Sequence, residues 1–300
     1  MKKYIAILSL ALLAAVGMTS CSDKNEVDTI TRTDFTNFFA NVQNVSNGVD
    51  ACYSNVGYSV LLNYSKLTAD VTITGLRLPD GTQYPTMTLT NMPWNIDATG
   101  RKVINGTNVS PSMPGFANVP LIGSFRMTIF DRILTSDNGQ AVYSPGICVK
   151  MLIDSRYSVT SSFSPQQVFG TTTSKSDTDG SVFSTKATWY QVKFNADTRR
   201  LTIVMNNARF AQNMTRGFNI ELRDMPVTFN GTSMEFDVAA ITPYIGDTPF
   251  EQFPITDLKG KFDMAKGLEM EFDCTPRTMP GKFEVEVETS FSIVAPDDEL

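Results

Sequence analysis

Histidine is absent from all 300 residues of the chain. Without it there is no Ser-His-Asp or Cys-His relay, no histidine general base and no histidine-bearing zinc site. Cysteine is scarce, with residues at 21, 52, 148 and 274 and no Cys-x-x-Cys spacing of the metal or redox kind. No glycine-rich phosphate loop of the P-loop or dinucleotide type is present. Beyond the first stretch of the chain, no window carries a helical apolar stripe of about ten residues or more. Positive charge is the minority sign, 25 Lys and Arg against 31 Asp and Glu, for a net charge of −6. A surface of that sign repels nucleic acid and anionic headgroups, so nucleic acid is set aside as a partner. These absences leave carboxylate chemistry or no catalysis, and no cofactor is expected.

What is present begins with Lys2 and Lys3, an apolar stretch from Ile5 to Val16, and small residues before Cys21. A basic end, a short apolar core and small residues are the anatomy of a secretory signal. The apolar stretch holds about a dozen residues, whereas a bilayer-spanning helix takes roughly 20, so a retained transmembrane anchor is not expected. The segment Met18-Thr19-Ser20-Cys21 resembles a bacterial lipobox, with Met18 where Leu is usual. That resemblance implies a signal peptide over 1–20 and acylation of Cys21. The alternative is an ordinary cleaved signal with a cysteine nearby. Several acyl chains on one cysteine bind far more firmly than the single chain that gives marginal attachment, so the membrane is the expected partner, through lipid on Cys21.

Residues 21–34 are mostly polar or charged without periodicity and read as a lipidated tether. Ser22-Asp23-Lys24-Asn25-Glu26 resembles the acidic signal that directs lipoproteins of Bacteroidetes-type bacteria to the outer face of the outer membrane. Asp28-Thr29-Ile30 resembles the O-glycosylation acceptor of such envelope proteins. The expected location is the outer membrane, with its periplasmic and cell-surface faces both open. Losing Lys2 and Lys3 with the signal takes the net charge from −6 to −8. Cys52, Cys148 and Cys274 then remain, an odd number that permits at most one disulfide, of unspecified pairing. The plainer assignment makes all three small core or strand residues.

An internal duplication fills the rest. At an offset of about 132 residues, Tyr58-x-Val60 meets Tyr190-x-Val192, and Arg77 meets Arg209. Slightly larger offsets align Leu89-Thr90-Asn91-Met92-Pro93 with Leu222-Arg223-Asp224-Met225-Pro226, and Gly123-x-Phe125-x-Met127 with Gly260-x-Phe262-x-Met264. Small offset changes are expected where surface loops gain a few residues and strand pairing is kept. The reading is repeat one over 35–163 and repeat two over 165–295, either as two domains with their own cores or as one pseudo-symmetric sheet system. Ser161 to Gly180, rich in Ser, Thr, Asp and Gly, reads as the junction plus a loop.

Period two dominates both copies. Phe283, Val285 and Val287 alternate with Glu284, Glu286 and Glu288, so one face is apolar and the other carries three carboxylates. Leu201-Ile203-Met205, Leu268-Met270-Phe272 and Val71-Ile73 follow the same rule. Pro93, Pro226, Asp80-Gly81, Asn138-Gly139 and Asn230-Gly231 read as turns. Six to eight strands per copy predict an all-β chain, two tandem antiparallel barrels or sandwiches. The run from Phe218 to Gly231, followed by Leu258-x-Gly260-x-Phe262 and the alternating strand from Leu268, is similar to the lipocalin-like, or calycin-like, domains of Bacteroidetes lipoproteins. The resemblance implies small antiparallel barrels in the cell envelope and carries no catalytic residue over.

Carboxylates alone could serve glycoside hydrolysis, which needs a pair flanking the bond. Asp131, Asp154, Asp224, Asp257, Asp263, Glu271 and Asp273 are the candidates, and no spacing selects two of them. Asp177-x-Asp179-Gly180 has the opening of a calcium loop without its later oxygen ligands. Trp94 and Trp189 are the candidate ligand contacts, through a lined cavity or an exposed stacking platform; the plainer assignment puts both in the core. The expected function is therefore non-catalytic: an envelope lipoprotein binding an apolar small molecule, lipid or glycan. The alternative is a structural or adhesive protein acting through strand edges.

Overall fold

The computed structural model describes residues 29–135, 141–277 and 279–291. The expected signal peptide, Cys21, Asp28, the Asn138-Gly139 turn and the last residues of repeat two lie outside the described residues.

The described elements are β-strands. In the first copy they are β1 (Ile30–Asn44), β2 (Asp50–Asn63), β3 (Thr68–Thr74), β4 (Met87–Ile96), β5 (Lys102–Val109), β6 (Ile122–Thr135), β7 (Ala141–Ile153) and β8 (Tyr157–Phe163). Each pairs with the next in antiparallel fashion, and β8 returns to β1, closing an up-and-down barrel. The strand β1 thus begins at Ile30, inside the stretch read from sequence as tether.

The second copy contains β9 (Gln166–Ser176), β10 (Val182–Thr185), β11 (Trp189–Asn195), β12 (Arg200–Ala208), β13 (Phe218–Pro226), β14 (Thr228–Asn230), β15 (Ser233–Ile241), β16 (Tyr244–Ile245), β17 (Thr248–Pro249), β18 (Ile255–Asp263), β19 (Gly267–Cys274) and β20 (Phe283–Ser290). They form one antiparallel sheet in the order β14-β15-β18-β19-β20-β9-β11-β12-β13-β16-β17, with β10 paired to β9. Eight of these strands repeat the first barrel in order: β9, β11, β12, β13, β15, β18, β19 and β20. One ladder is missing. Where β4 meets β5 through Trp94↔Ile104, Asn95↔Val103 and Ile96↔Lys102, β13 and β15 lie side by side unpaired. The shortest ladder of the closed barrel is thus the one its copy leaves open.

The shared Leu-x-x-Met-Pro motif has a structural cause. Asn91 and Asp224 both have φ of 56°, a left-handed conformation that Asn and Asp tolerate better than other side chains. Each sits opposite a register shift in the neighbouring ladder. The freed backbone N–H is used alike in both copies: Asn91 donates to Asp70 Oδ1 at 2.8 Å, and Asp224 to Thr202 Oγ1 at 3.3 Å. Pro93 therefore lies within β4 and Pro226 at the end of β13, beside β-bulges rather than in the turns expected from sequence. The Asn230-Gly231 turn does form, joining β14 to β15 with Gly231 at φ 61°.

A second correction concerns Ser161 to Gly180. Most of it is β8 and β9, not loop. Its threonines are β-branched and suit a pleated surface, and its buried hydroxyls find partners: Thr172 Oγ1 with Tyr190 Oη, and Ser174 Oγ donating to the Phe210 carbonyl at 2.6 Å.

Val60, Val71, Ile73, Leu89, Met127 and Val149 point into the first barrel and are at most 1% exposed. Eight strands leave an interior that side chains can fill, and Phe38 packs edge-on against Tyr58 and Phe163 inside it. The two copies are not separate cores. Phe39, outward on β1, meets Phe194 of the second copy with ring centroids 4.6 Å apart, and Phe130 meets Phe291 at 4.8 Å. Buried apolar residues of both copies form one continuous cluster. Around it, Arg199 donates two hydrogen bonds to Asp50 at 2.7 and 2.6 Å, and Thr160 Oγ1 donates to the Gly231 carbonyl at 2.9 Å.

Candidate functional site

The two tryptophans occupy opposite environments. Trp94 is 6% exposed; its Nε1–H donates to the Asn63 carbonyl at 3.2 Å, and its ring meets Tyr64 edge-on at 5.2 Å. Its indole is thus satisfied within the first barrel. Trp189 opens β11 on the outer face of the second sheet and is half-buried. It stacks on Phe169, its register partner on β9, at 6.3 Å between centroids and 29° between planes. Phe169 was missed by sequence reasoning because it sits in the Ser/Thr-rich stretch read as loop. The available signal was the alternation through Phe169, Thr171 and Thr173, which face outward while Thr172 and Ser174 face the core.

Next to this pair the outer face becomes charged. The ladders set Glu235 opposite Lys261, Lys261 opposite Glu269, and Glu269 opposite Glu288; one step along, Asp237, Lys259, Glu271 and Glu286 form a parallel row. Lys259 Nζ lies 2.7 Å from Glu271 and Lys261 Nζ 2.9 Å from Glu269. These hydrogen bonds hold both lysine pKa values above their ordinary range. Glu286 and Glu288 face other glutamates, an unfavourable arrangement for a sheet, and neither has a cation at ion-pair distance among the described residues. The rows floor an open depression of about 860 Å³, walled on one side by Pro226, Val227 and Thr228. Glu288 pairs with Thr171 and Ser290 with Phe169, so the acidic end of the depression adjoins the aromatic stack.

The arrangement offers an aromatic face beside unpaired acceptors. Chemically it suits a ring that stacks through its apolar face and donates hydroxyl hydrogens to carboxylates. Elsewhere, Asp34, Asp80, Asp97 and Asp179 have their pKa values held below the ordinary range, chiefly by side-chain hydrogen bonds from Ser59, Tyr157, Thr99 and Ser181. Cys52, Cys148 and Cys274 are free thiols, and burial pushes each up to about 12. Asp179 accepts from the Ser181 N–H and hydroxyl at 3.0 and 2.7 Å, which makes the calcium-like segment a closed turn. Asp263 likewise caps the β18–β19 turn, accepting from the Ala265 and Lys266 N–H groups. Among the described residues, no group of three or more Cys, Asp or Glu converges as a metal site would.

No protein-family model matches the chain, and no curated protein matches it. Among solved structures it is similar to a "putative outer membrane protein" from Bacteroides fragilis, at 13% identity and a TM-score of 0.31, over 85% of this chain and 95% of that one.

Proposed function

We propose that the protein is a non-catalytic, lipid-anchored envelope protein that binds a glycan on the outer face of its second sheet. The observation that carries the reading is the half-buried Phe169–Trp189 stack bordering a carboxylate-floored depression. An apolar ligand held inside the first barrel has less support, because large side chains occupy that interior. Action through strand edges also has less support. The outermost strands of the second sheet are β14, of three residues, and β17, of two, the latter ending in Pro249; short, proline-bearing edges resist strand addition. The anchor reading rests on the lipobox resemblance at Met18 to Cys21 and on the tether-like residues after it.

A glycan array probed with the labelled mature chain tests the site. Removing a stacking ring costs roughly 1 to 1.5 kcal/mol, so Trp189→Ala should weaken binding about tenfold. Equal binding by both proteins, or no binding by either, would contradict the reading. Cys21→Ala should move the protein from the membrane to the soluble fraction; continued tight membrane association would contradict the anchor.

A further inference from the structure

Four large apolar side chains outside the glycan site gather at one end of the first barrel: Ile30, 56% exposed, Tyr64, 38%, Leu67, 55%, and Ile96, 61%. They meet because strand ends meet. Ile30 pairs with Asn63, the Tyr64 N–H donates to the Thr29 carbonyl at 3.0 Å, and the Trp94 N–H donates to the Leu67 carbonyl at 3.0 Å. Ile96 is the last residue of β4, two beyond Trp94. Leu67 has φ of 51°. Glycine or asparagine would occupy that conformation at lower cost, so a bulky apolar side chain there is retained against local strain.

We propose that this end of the first barrel seats on the bilayer surface, with Ile30, Tyr64, Leu67 and Ile96 at the headgroup–acyl boundary. The proposal rests on the anchor reading above, and chain length selects this end. Eight residues separate Cys21 from Ile30, a reach of at most roughly 30 Å over the nine steps between them. The 15 residues of β1 run roughly 45 Å, which at the tilt of barrel strands carries the barrel roughly 35 Å further along its axis, to its opposite end. Val45 and Val49 are exposed there too, but an upright barrel cannot lower them onto the membrane while Cys21 stays in it. The end bearing Ile30 reaches without strain. Tyr64 brings an amphipathic ring of the kind enriched at headgroup level, and the enclosed Trp94 lies directly behind it at 5.2 Å between centroids.

The test uses the full mature lipidated protein carrying Trp189→Phe, in which Trp94 is the remaining tryptophan. It is reconstituted on zwitterionic vesicles of phosphatidylcholine and phosphatidylethanolamine, with and without bromine on the acyl chains. An interfacial face sits roughly 5 to 10 Å deep, so Trp94 emission should be lower on brominated than on unbrominated vesicles. Leu67→Asp with Ile96→Asp should abolish that quenching while the protein still floats with the vesicles. Flotation without quenching overturns the docking and leaves the anchor reading standing. Failure to float, with no acyl mass on Cys21, overturns both.

Discussion

Trp94 and Trp189 show how burial separates side chains of one type. Trp94 is enclosed with its indole N–H satisfied, so Trp94→Ala should cost about 3 to 5 kcal/mol of stability by leaving a cavity. Trp189→Ala should cost about 1 kcal/mol, the order of a half-exposed aromatic pair, with its main effect on binding. Chemical denaturation of the two variants checks the contrast, and equal losses would contradict it. The titratable residues make a second prediction. No side chain present has its ordinary pKa between about 5 and 8, because histidine is absent. The thiols of Cys52, Cys148 and Cys274 are raised by burial from 9.0 to about 12, and the buried phenols of Tyr58 and Tyr190 are raised too. A group raised in the folded state stabilises fully below its unfolded pKa and loses that contribution as pH rises towards the folded one. Unfolding free energy should therefore stay flat from about pH 5 to 8 and fall progressively above about 9. Denaturant titrations at stepped pH measure this; a maximum in the alkaline range would contradict it.

At the scale of elements, the seam between β13 and β15 is the weak line of the second sheet. It lacks the ladder that closes the first barrel, so backbone amides along β13 facing it should exchange with solvent before those of β18 and β19. Hydrogen exchange followed by peptide mass reads the order, and uniform protection across these strands would contradict the open seam. Strand positions were legible in the sequence wherever alternation was regular, as in Phe283 to Glu288, whose apolar and acidic faces are inside and outside as expected. Legibility failed in two places for physical reasons. A bulge keeps a strand running through Pro93 where composition reads as a turn. In β9, small hydroxyl residues face the core because Tyr190 and the Phe210 carbonyl give them hydrogen-bond partners, and such cross-strand partners are invisible in the local composition. The aromatic half of the candidate site was hidden by the same misread stretch, whereas Trp189 and the outward glutamates were visible.

The whole molecule is two copies of one strand order joined by a shared core, and the joint is aromatic. Phe39 belongs to the first barrel by sequence and to the second by packing. Phe39→Ala should cost about 3 to 5 kcal/mol and weaken the coupling of the copies, broadening or splitting the unfolding transition, since it removes one of the two ring contacts between them. Calorimetry distinguishes the outcomes, and one unchanged transition would contradict a shared core. The charge distribution also belongs to this scale: the acidic balance is concentrated in the Glu/Lys rows of the second copy, while the first copy presents its apolar end. The proposals place ligand and membrane on different copies. That division is tested most directly with two single-tryptophan variants, Trp94→Phe and Trp189→Phe, titrated with oligosaccharides released from the envelope of the host cell. Emission should change saturably where Trp189 remains and stay constant where Trp94 remains. A response from Trp94 alone would place the ligand inside the first barrel and contradict it.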